Sequence, residues 1–394
     1  NGKFFYYPLR AVNALIGLGM WESIRIIFSY LRAQLWPYRE EKTFEQWVSN
    51  RFGRRLYEVF FKTYTEKVWG IPCSEIRAEW AAQRIKGLTL PTAVRNALFP
   101  PRGEVIKTLI DEFHYPERGP GMMWERVVQL LEQRGSAVHM ETEAVKLLLE
   151  GTRVTGVVVR HQGVERIIAG TDVFSTMPLA ELIPMFNPAP PDAVLAAAQG
   201  LRYRAFLTVV LIIDERHLFS DNWIYIHSPD VRVGRIQNFK NWSPAMVPDE
   251  DKTSLGLEFF CDEGDSLWEM PDQDLVALGT RELHQIGLVS DTAVLDGVVV
   301  RQHKAYPIYD AHYGELLSVV KEWLSGLENF YTLGRNGLHK YNNQDHSMLT
   351  AILAVRNALL GEENDVWEVN TDRSYHEEVR VSAVEAGPVD ILEA

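Results

Sequence analysis

Apolar residues at Ile24, Ile27, Phe28, Leu31 and Leu35 recur at helical spacing, with Arg25 and Arg32 on other faces. This spacing predicts an amphipathic helix within a mainly helical stretch that runs from about residue 9 to residue 98. The stripe is expected to pack on a core. Trp21 and Trp36 near its two ends also suit a helix lying on a membrane surface, which is the alternative. A second helix is predicted over 43–61 and a third over 78–86, before Pro100, Pro101 and Gly103 break the pattern. Ahead of them, Asn1 to Pro8 reads as a hairpin turn running into a strand.

A helix over 121–134, stopped by Gly135, is followed by short runs of strand character at 137–140, 144–149, 154–160, 164–169 and 173–176. Gly151, Gly163 and Gly170 mark the turns. This order of helix, strand, three-stranded meander and returning apolar strand is typical of flavoprotein dinucleotide domains. It places Thr176 and Pro178 at the carboxyl edge of a parallel sheet, where such sheets bind cofactors. Alternation at 206–213, 223–227, 233–239 and 254–260 then predicts an antiparallel sheet, with helices near 192–199 and 273–286. A strand at 330–333, a glycine turn over 334–343 and a helix over 345–360 closed by Gly361 restore α/β character. The predicted fold is mixed α/β (α+β): a Rossmann-like FAD/NAD(P)-binding parallel sheet with a β-meander, a helical insertion and an antiparallel substrate domain. The units expected are 1–100 helical and substrate-side, 101–180 cofactor-binding with the meander, 181–305 substrate domain, 306–372 cofactor-binding, and 373–394 a flexible acidic tail.

Composition narrows the function. With 46% hydrophobic residues in 394, the chain can bury a sizeable core, and its net charge of −13 argues against a nucleic-acid partner. The two cysteines, Cys73 and Cys261, lie far apart and outside any Cys-x-x-Cys pair, so a reducing, cytoplasmic compartment is expected. The longest apolar run, 205–213, is half of what a transmembrane helix needs. No metal-ligand spacing, nucleophile elbow or Walker loop is present, so no metal is expected. A small-molecule substrate is the expected partner, and the sequence leaves oligomeric state open.

The candidate chemistry gathers in Gly334-Arg335-Asn336-Gly337-Leu338-His339-Lys340-Tyr341-Asn342-Asn343-Gln344-Asp345. Gly334 and Gly337 permit close approach of a ligand to the backbone. Asp345 is expected to cap the next helix, whose free N–H groups favour an electron-rich partner. This stretch resembles the C-terminal flavin-contacting motif of UDP-galactopyranose mutases and related amine-oxidase-like proteins. A second match, Tyr64-Thr65-Glu66-Lys67-Val68-Trp69-Gly70, resembles the mutase segment that holds the uridine end of the substrate. The chain is also similar to a bacterial branch of FAD-dependent, protoporphyrinogen-oxidase-like proteins.

The resemblance implies FAD as cofactor and a catalytic centre at Arg335, Tyr341 and Tyr306, the last followed by Pro307. It implies Asn342, Asn343 and Gln344 beside the flavin ring, and Tyr64, Thr65 and Trp69 as a substrate wall. Arg84 matches a mobile-loop arginine for a diphosphate. Two positions depart from the mutase pattern: Asn343 stands where mutases carry aspartate, and Leu257, beside Glu258, where they carry a second phosphate-binding arginine. The implied activity is hydride transfer from a small molecule to flavin N5. Flavin-dependent isomerisation of a nucleotide sugar is the alternative, and a non-catalytic binding module the third reading. Gly17-Leu18-Gly19 does not complete a Gly-x-Gly-x-x-Gly turn, since Glu22 takes the third position. About a hundred residues carrying that turn are therefore expected to lie upstream.

Overall fold

The computed structural model describes residues 4–5, 17–78, 113–290 and 294–370. Most of the opening hairpin, the third helix beyond Ala78, the break at 100–103, Arg84 and the acidic tail lie outside the described residues.

Helix α1 (Met20–Leu35) forms as its spacing predicts, but the stripe does not pack on a core. Phe28 is 68% and Leu35 69% exposed, and Ile26 is the residue that the helix buries. The inward side is fixed by polar and backbone contacts instead. Glu22 pairs with Arg55, and Ser29 Oγ accepts the Arg55 backbone N–H at 2.9 Å. Gly53, at φ +81°, lies so close that a Cβ there would sit 2.7 Å from the Tyr30 nitrogen.

The stretch 43–61 is not one helix. Helix α2 (Phe44–Phe52) opens on a capping box between Thr43 and Gln46 and stops at Gly53. After Arg54–Leu56 the chain passes through a π-helical turn (Tyr57–Lys62) into α3 (Thr63–Trp69), which ends at left-handed Gly70. A π turn admits one extra residue, which rotates the helix beyond it.

Beyond α4 (Gly121–Gln133), residues 137–140 form a loop and a turn rather than the predicted strand. Strands β1 (Thr142–Glu150), β2 (Arg153–His161) and β3 (Val164–Ala169) make the antiparallel meander, with β5 (Phe186–Asn187) added parallel to β1. The returning strand β4 (Val173–Ser175) pairs in parallel with β11 (Phe330–Thr332). Asn329, 2% exposed, ties the two sheets together. Its amide donates to the carbonyls of Val154 and Thr171 and accepts the Val154 N–H. Leu147, Phe186, Phe330 and Val320 share the core beneath, closed by α5 (Asp192–Gly200) and α7 (Tyr313–Ser325).

The large antiparallel sheet runs in the order β10-β6-β9-β8-β7. Its strands are β6 (Tyr203–Ile213), β7 (Trp223–Tyr225), β8 (Arg235–Asn238), β9 (Thr253–Cys261) and β10 (Val294–Pro307). The alternation of β8 and β9 sorts two faces. Ile236, Leu255, Leu257 and Phe259 point into a core with Leu275 and Leu283 of α6 (Asp272–Gln285), each side chain worth about 1.5–3 kcal/mol on burial. Arg235, Gln237, Glu258 and Phe260 occupy the opposite face, toward α3. Strand β10 and helix α7 were not anticipated from the pattern. Helix α8 (Gln344–Leu360) succeeds the glycine turn and ends at left-handed Gly361.

Cys73 and Cys261 are both buried and free, and burial pushes each thiol up to about 12. Among the described residues, no helix is long and apolar enough to cross a membrane.

Candidate active site

Helix α3 is pinned to the large sheet at both its carbonyl end and its side. Arg204 of β6, 5% exposed, donates from Nε to the Val68 carbonyl and from Nη2 to the Lys67 carbonyl, both at 3.2 Å, and pairs with Asp262 at 2.7 Å. A guanidinium at a helix C-terminus satisfies orphan carbonyls and meets the negative end of the dipole. The same guanidinium fills the space where a Cβ on Gly70 would stand, 2.5 Å from Cζ. Lys67 Nζ donates to the carbonyls of Ile226, Ser228 and Val233 at 3.3, 2.6 and 3.1 Å. Glu282 accepts the N–H groups of Arg232 and Val233, each at 2.8 Å, and so holds the same loop from the other side.

Anchored in this way, Tyr64 and Trp69 face the sheet. Tyr64 meets Tyr225 edge-on at 5.1 Å and His227 at 5.4 Å. Trp69, 3% exposed, lies 6.2 Å from Tyr306, 6.3 Å from Tyr309 and 6.1 Å from Tyr341. Thr65 is buried in the same helix.

Tyr306 and Tyr341 stack at 5.5 Å with an angle of 16°, and the Arg335 guanidinium lies over both, 4.8 and 4.2 Å from their centroids. Arg335 donates from Nε to the Ala305 carbonyl at 2.8 Å and from Nη1 to the Asn342 carbonyl at 3.0 Å. The three side chains named by resemblance as a catalytic centre, together with Trp69, therefore form one cluster.

The cofactor-side residues divide. Gly334 takes φ +85° beside Thr176, and its N–H donates to Thr350 Oγ1 at 2.9 Å. Gly337 is closed in: a Cβ there would stand 2.5 Å from the Leu333 carbonyl oxygen and 2.7 Å from that of Ser175. Asn342, 2% exposed, spends its amide on the Gly334 carbonyl at 2.9 Å and on Asn370 at 3.2 Å, so it shapes the turn from within. Asn343, Gln344 and Asp345 are exposed at the start of α8. The cap is Asn343, in a reciprocal box with His346, and not Asp345: the helix begins one residue earlier than predicted. Asp345 sits in the first turn, where its charge suits the dipole. Pro178 precedes the short helix Leu179–Leu182.

Sequence reading missed Arg235 and Gln237, and singled out Glu258 only as the neighbour of Leu257. Arg235 donates from Nε to Glu258 at 2.7 Å and from Nη2 to the Tyr306 hydroxyl at 3.1 Å, while Gln237 donates to Glu258 at 2.5 Å. Burial raises the pKa of Tyr306 and Tyr64 against the pull of Arg235, keeping both phenols protonated. Burial, with Lys67 adding to it, lowers His227 to about 4, so it is neutral at pH 7.

His339, in the glycine turn at 1% exposure and edge-on to Tyr203 at 4.8 Å, is lowered to about 4 by burial. Below pH 6.5 the unfolded chain takes up this proton and the folded chain does not, so stability falls as pH drops and levels off below about 4. The expected contribution is about 3 kcal/mol between these limits. Urea unfolding at pH 7 and pH 4.5 measures it. His339→Asn, which tolerates the φ of +44° at this position, should remove about half of the difference, with His227 carrying a similar share; an unchanged slope would remove His339 as a source.

Known proteins share this fold. The profile of flavin containing amine oxidoreductases matches residues 37–331. A crystal structure of reduced UDP-galactopyranose mutase superposes with a TM-score of 0.76 at 20% identity, over 91% of this chain and 75% of that one. A protein from Exiguobacterium sp. 255-15 described as a protoporphyrinogen oxidase superposes at 0.62 and 18% identity, over 87% of this chain and 73% of that one. An oxidoreductase from Methanosarcina mazei superposes at 0.52 and 14% identity, over 81% and 68%. These superpositions establish the fold: mixed α/β, with parallel and antiparallel sheets. Since the profile spans well over half of it, the chain belongs to the flavin containing amine oxidoreductase family.

Proposed function

We propose that the chain is an FAD-dependent oxidoreductase acting on a small molecule. The observation that carries this reading is the convergence of Trp69, Tyr306, Tyr341 and Arg335 beside the turn at Gly334, at the carboxyl ends of β4 and β11. Planar aromatic side chains and a fixed guanidinium suit a flat heterocycle and an electron-rich substrate. When bound beside Gly334 and Arg335, a flavin would supply the redox chemistry, as an acceptor of hydride from a substrate C–H.

The chain's own residues position and desolvate. Tyr64 and Trp69 wall the substrate, their helix held by Arg204 and Lys67. Tyr306 keeps its phenolic proton and can donate it in a hydrogen bond. Arg335, gripped by two carbonyls, presents a fixed positive charge over the two stacked rings. Such preorganisation is where enzymes of this kind gain rate.

The test is an absorption spectrum of the purified protein, before and after dithionite, followed by titration with UDP-galactose. A flavin spectrum that bleaches and ignores the nucleotide sugar is expected. A spectrum shifted by UDP-galactose only in the reduced state would favour mutase-type chemistry, and absence of flavin would sink the reading.

A further inference from the structure

Helix α1 turns an apolar face outward. At about 100° per residue, Trp21, Ile24, Ile27, Phe28, Leu31 and Leu35 fall within one arc of about 120°. All six are exposed, Trp21 the most at 78%, and Trp36 at the end of the helix is 74% exposed. The helix is fixed in this attitude. Rolling the stripe inward would break the Glu22–Arg55 pair and the Ser29–Arg55 bond, and would drive Tyr30 off Gly53. We propose that this face of α1 docks on a membrane surface that carries anionic lipid, with the helix lying in the plane of that surface.

Length and polarity make the helix lie along a bilayer rather than cross it. Its sixteen residues rise about 24 Å, short of the hydrocarbon thickness, and include Glu22, Arg25 and Arg32. Such a helix sinks its apolar side about 5–10 Å into the headgroup boundary, and a tryptophan near each end suits that depth. Shape favours lipid over a protein partner. The helix buries Ile26 on its inner side and leaves the stripe as the crest of a ridge. A fluid surface closes around a ridge without needing a matching groove.

Charge selects the lipid. Arg25 and Arg32 border the arc on one side, and both are exposed. Residues 17–62 carry eight basic and five acidic side chains, a local excess of three positive charges in a chain of net charge −13. An anionic leaflet therefore attracts this end of the molecule and repels the acidic remainder, which orients the chain. A second copy meeting the stripe face to face would bring the same arginines together, which disfavours self-association. The inference does not depend on the flavin reading.

The test is co-sedimentation of the full chain with sucrose-loaded vesicles, with tryptophan emission recorded. One set is phosphatidylcholine and the other is phosphatidylcholine with about a third phosphatidylglycerol. Binding should favour the anionic set about tenfold or more, weaken with salt, and shift the emission to the blue. The double variant Phe28→Glu, Leu35→Glu should lower that binding about tenfold or more. Arg25→Gln, Arg32→Gln should lower the preference for the anionic set about tenfold. These side chains are exposed, so near-UV circular dichroism should stay at the wild-type signal. Val298→Glu, on the exposed edge strand β10, is the control and should leave binding unchanged. The wild-type comparison of the two vesicles stands whatever the variants do. No binding to either set, equal binding to both, or a loss in Val298→Glu as large as in the α1 variant would overturn the proposal. A chain that is dimeric without lipid, and that Phe28→Glu, Leu35→Glu splits, would give the stripe to a second copy and overturn it as well.

Discussion

Gly337→Ala is expected to lower the free energy of unfolding by about 2–4 kcal/mol and to cost the protein most of its flavin. The methyl group would enter a space 2.5 Å from the Leu333 carbonyl oxygen and 2.7 Å from that of Ser175. Both are backbone atoms at the ends of the paired strands β11 and β4, so relief requires the strands to part rather than a side chain to swing. The edge that parts is the one carrying Gly334 and Thr176. Gly334→Ala provides the comparison. Its Cβ would meet nothing closer than Thr176 Cγ2 at 3.6 Å, and its cost comes from φ +85° alone, about 1–2 kcal/mol. Urea unfolding of the two variants, with flavin measured per chain, ranks them. If Gly334→Ala proves the more damaging, the close approach at Gly337 is not what shapes this edge.

Arg335→Met should rank next, losing about 2–3 kcal/mol of stability and weakening flavin retention by roughly tenfold to a hundredfold. Two carbonyl acceptors, on Ala305 and Asn342, would lose their donor, and Tyr306 and Tyr341 would lose the cation that faces them. Arg335→Lys discriminates between causes. An ammonium restores the charge but cannot bond both carbonyls while lying flat over two rings. Lysine should therefore recover less than half of the loss. Full recovery would show that charge alone matters and that the fork does not.

Much of this molecule is written in its residue pattern, but unevenly. Strands β1 and β2 and four strands of the large sheet were legible because each has a face on a core, while β3, exposed throughout, was legible from the glycines that bound it, Gly163 and Gly170. Strand β10 was not. It lies at the sheet edge, and Val298 and Val300 are 59% and 53% exposed while Arg301, Gln302, His303 and Lys304 interrupt any period. The site was legible where short motifs recur, at Gly334, Arg335, Tyr341, Tyr64 and Trp69. Arg235 escaped because β8 is four residues long. The Ile236 side chain had to be known as the buried one before its neighbours could be read as facing Tyr306. The outward stripe of α1 shows the converse. Helical spacing reveals that a face is apolar, while which face turns inward is decided by close contacts such as that of Gly53 with Tyr30.

The π turn at Tyr57–Lys62 bears on how such a site diverges over generations. Deleting one residue there would restore α-helical periodicity and swing everything beyond it by about 100°. Tyr64, Thr65 and Trp69 would leave the sheet together, in a single heritable step that changes no residue at the site. The direction in which these three side chains face is therefore set by chain length as well as by side-chain identity.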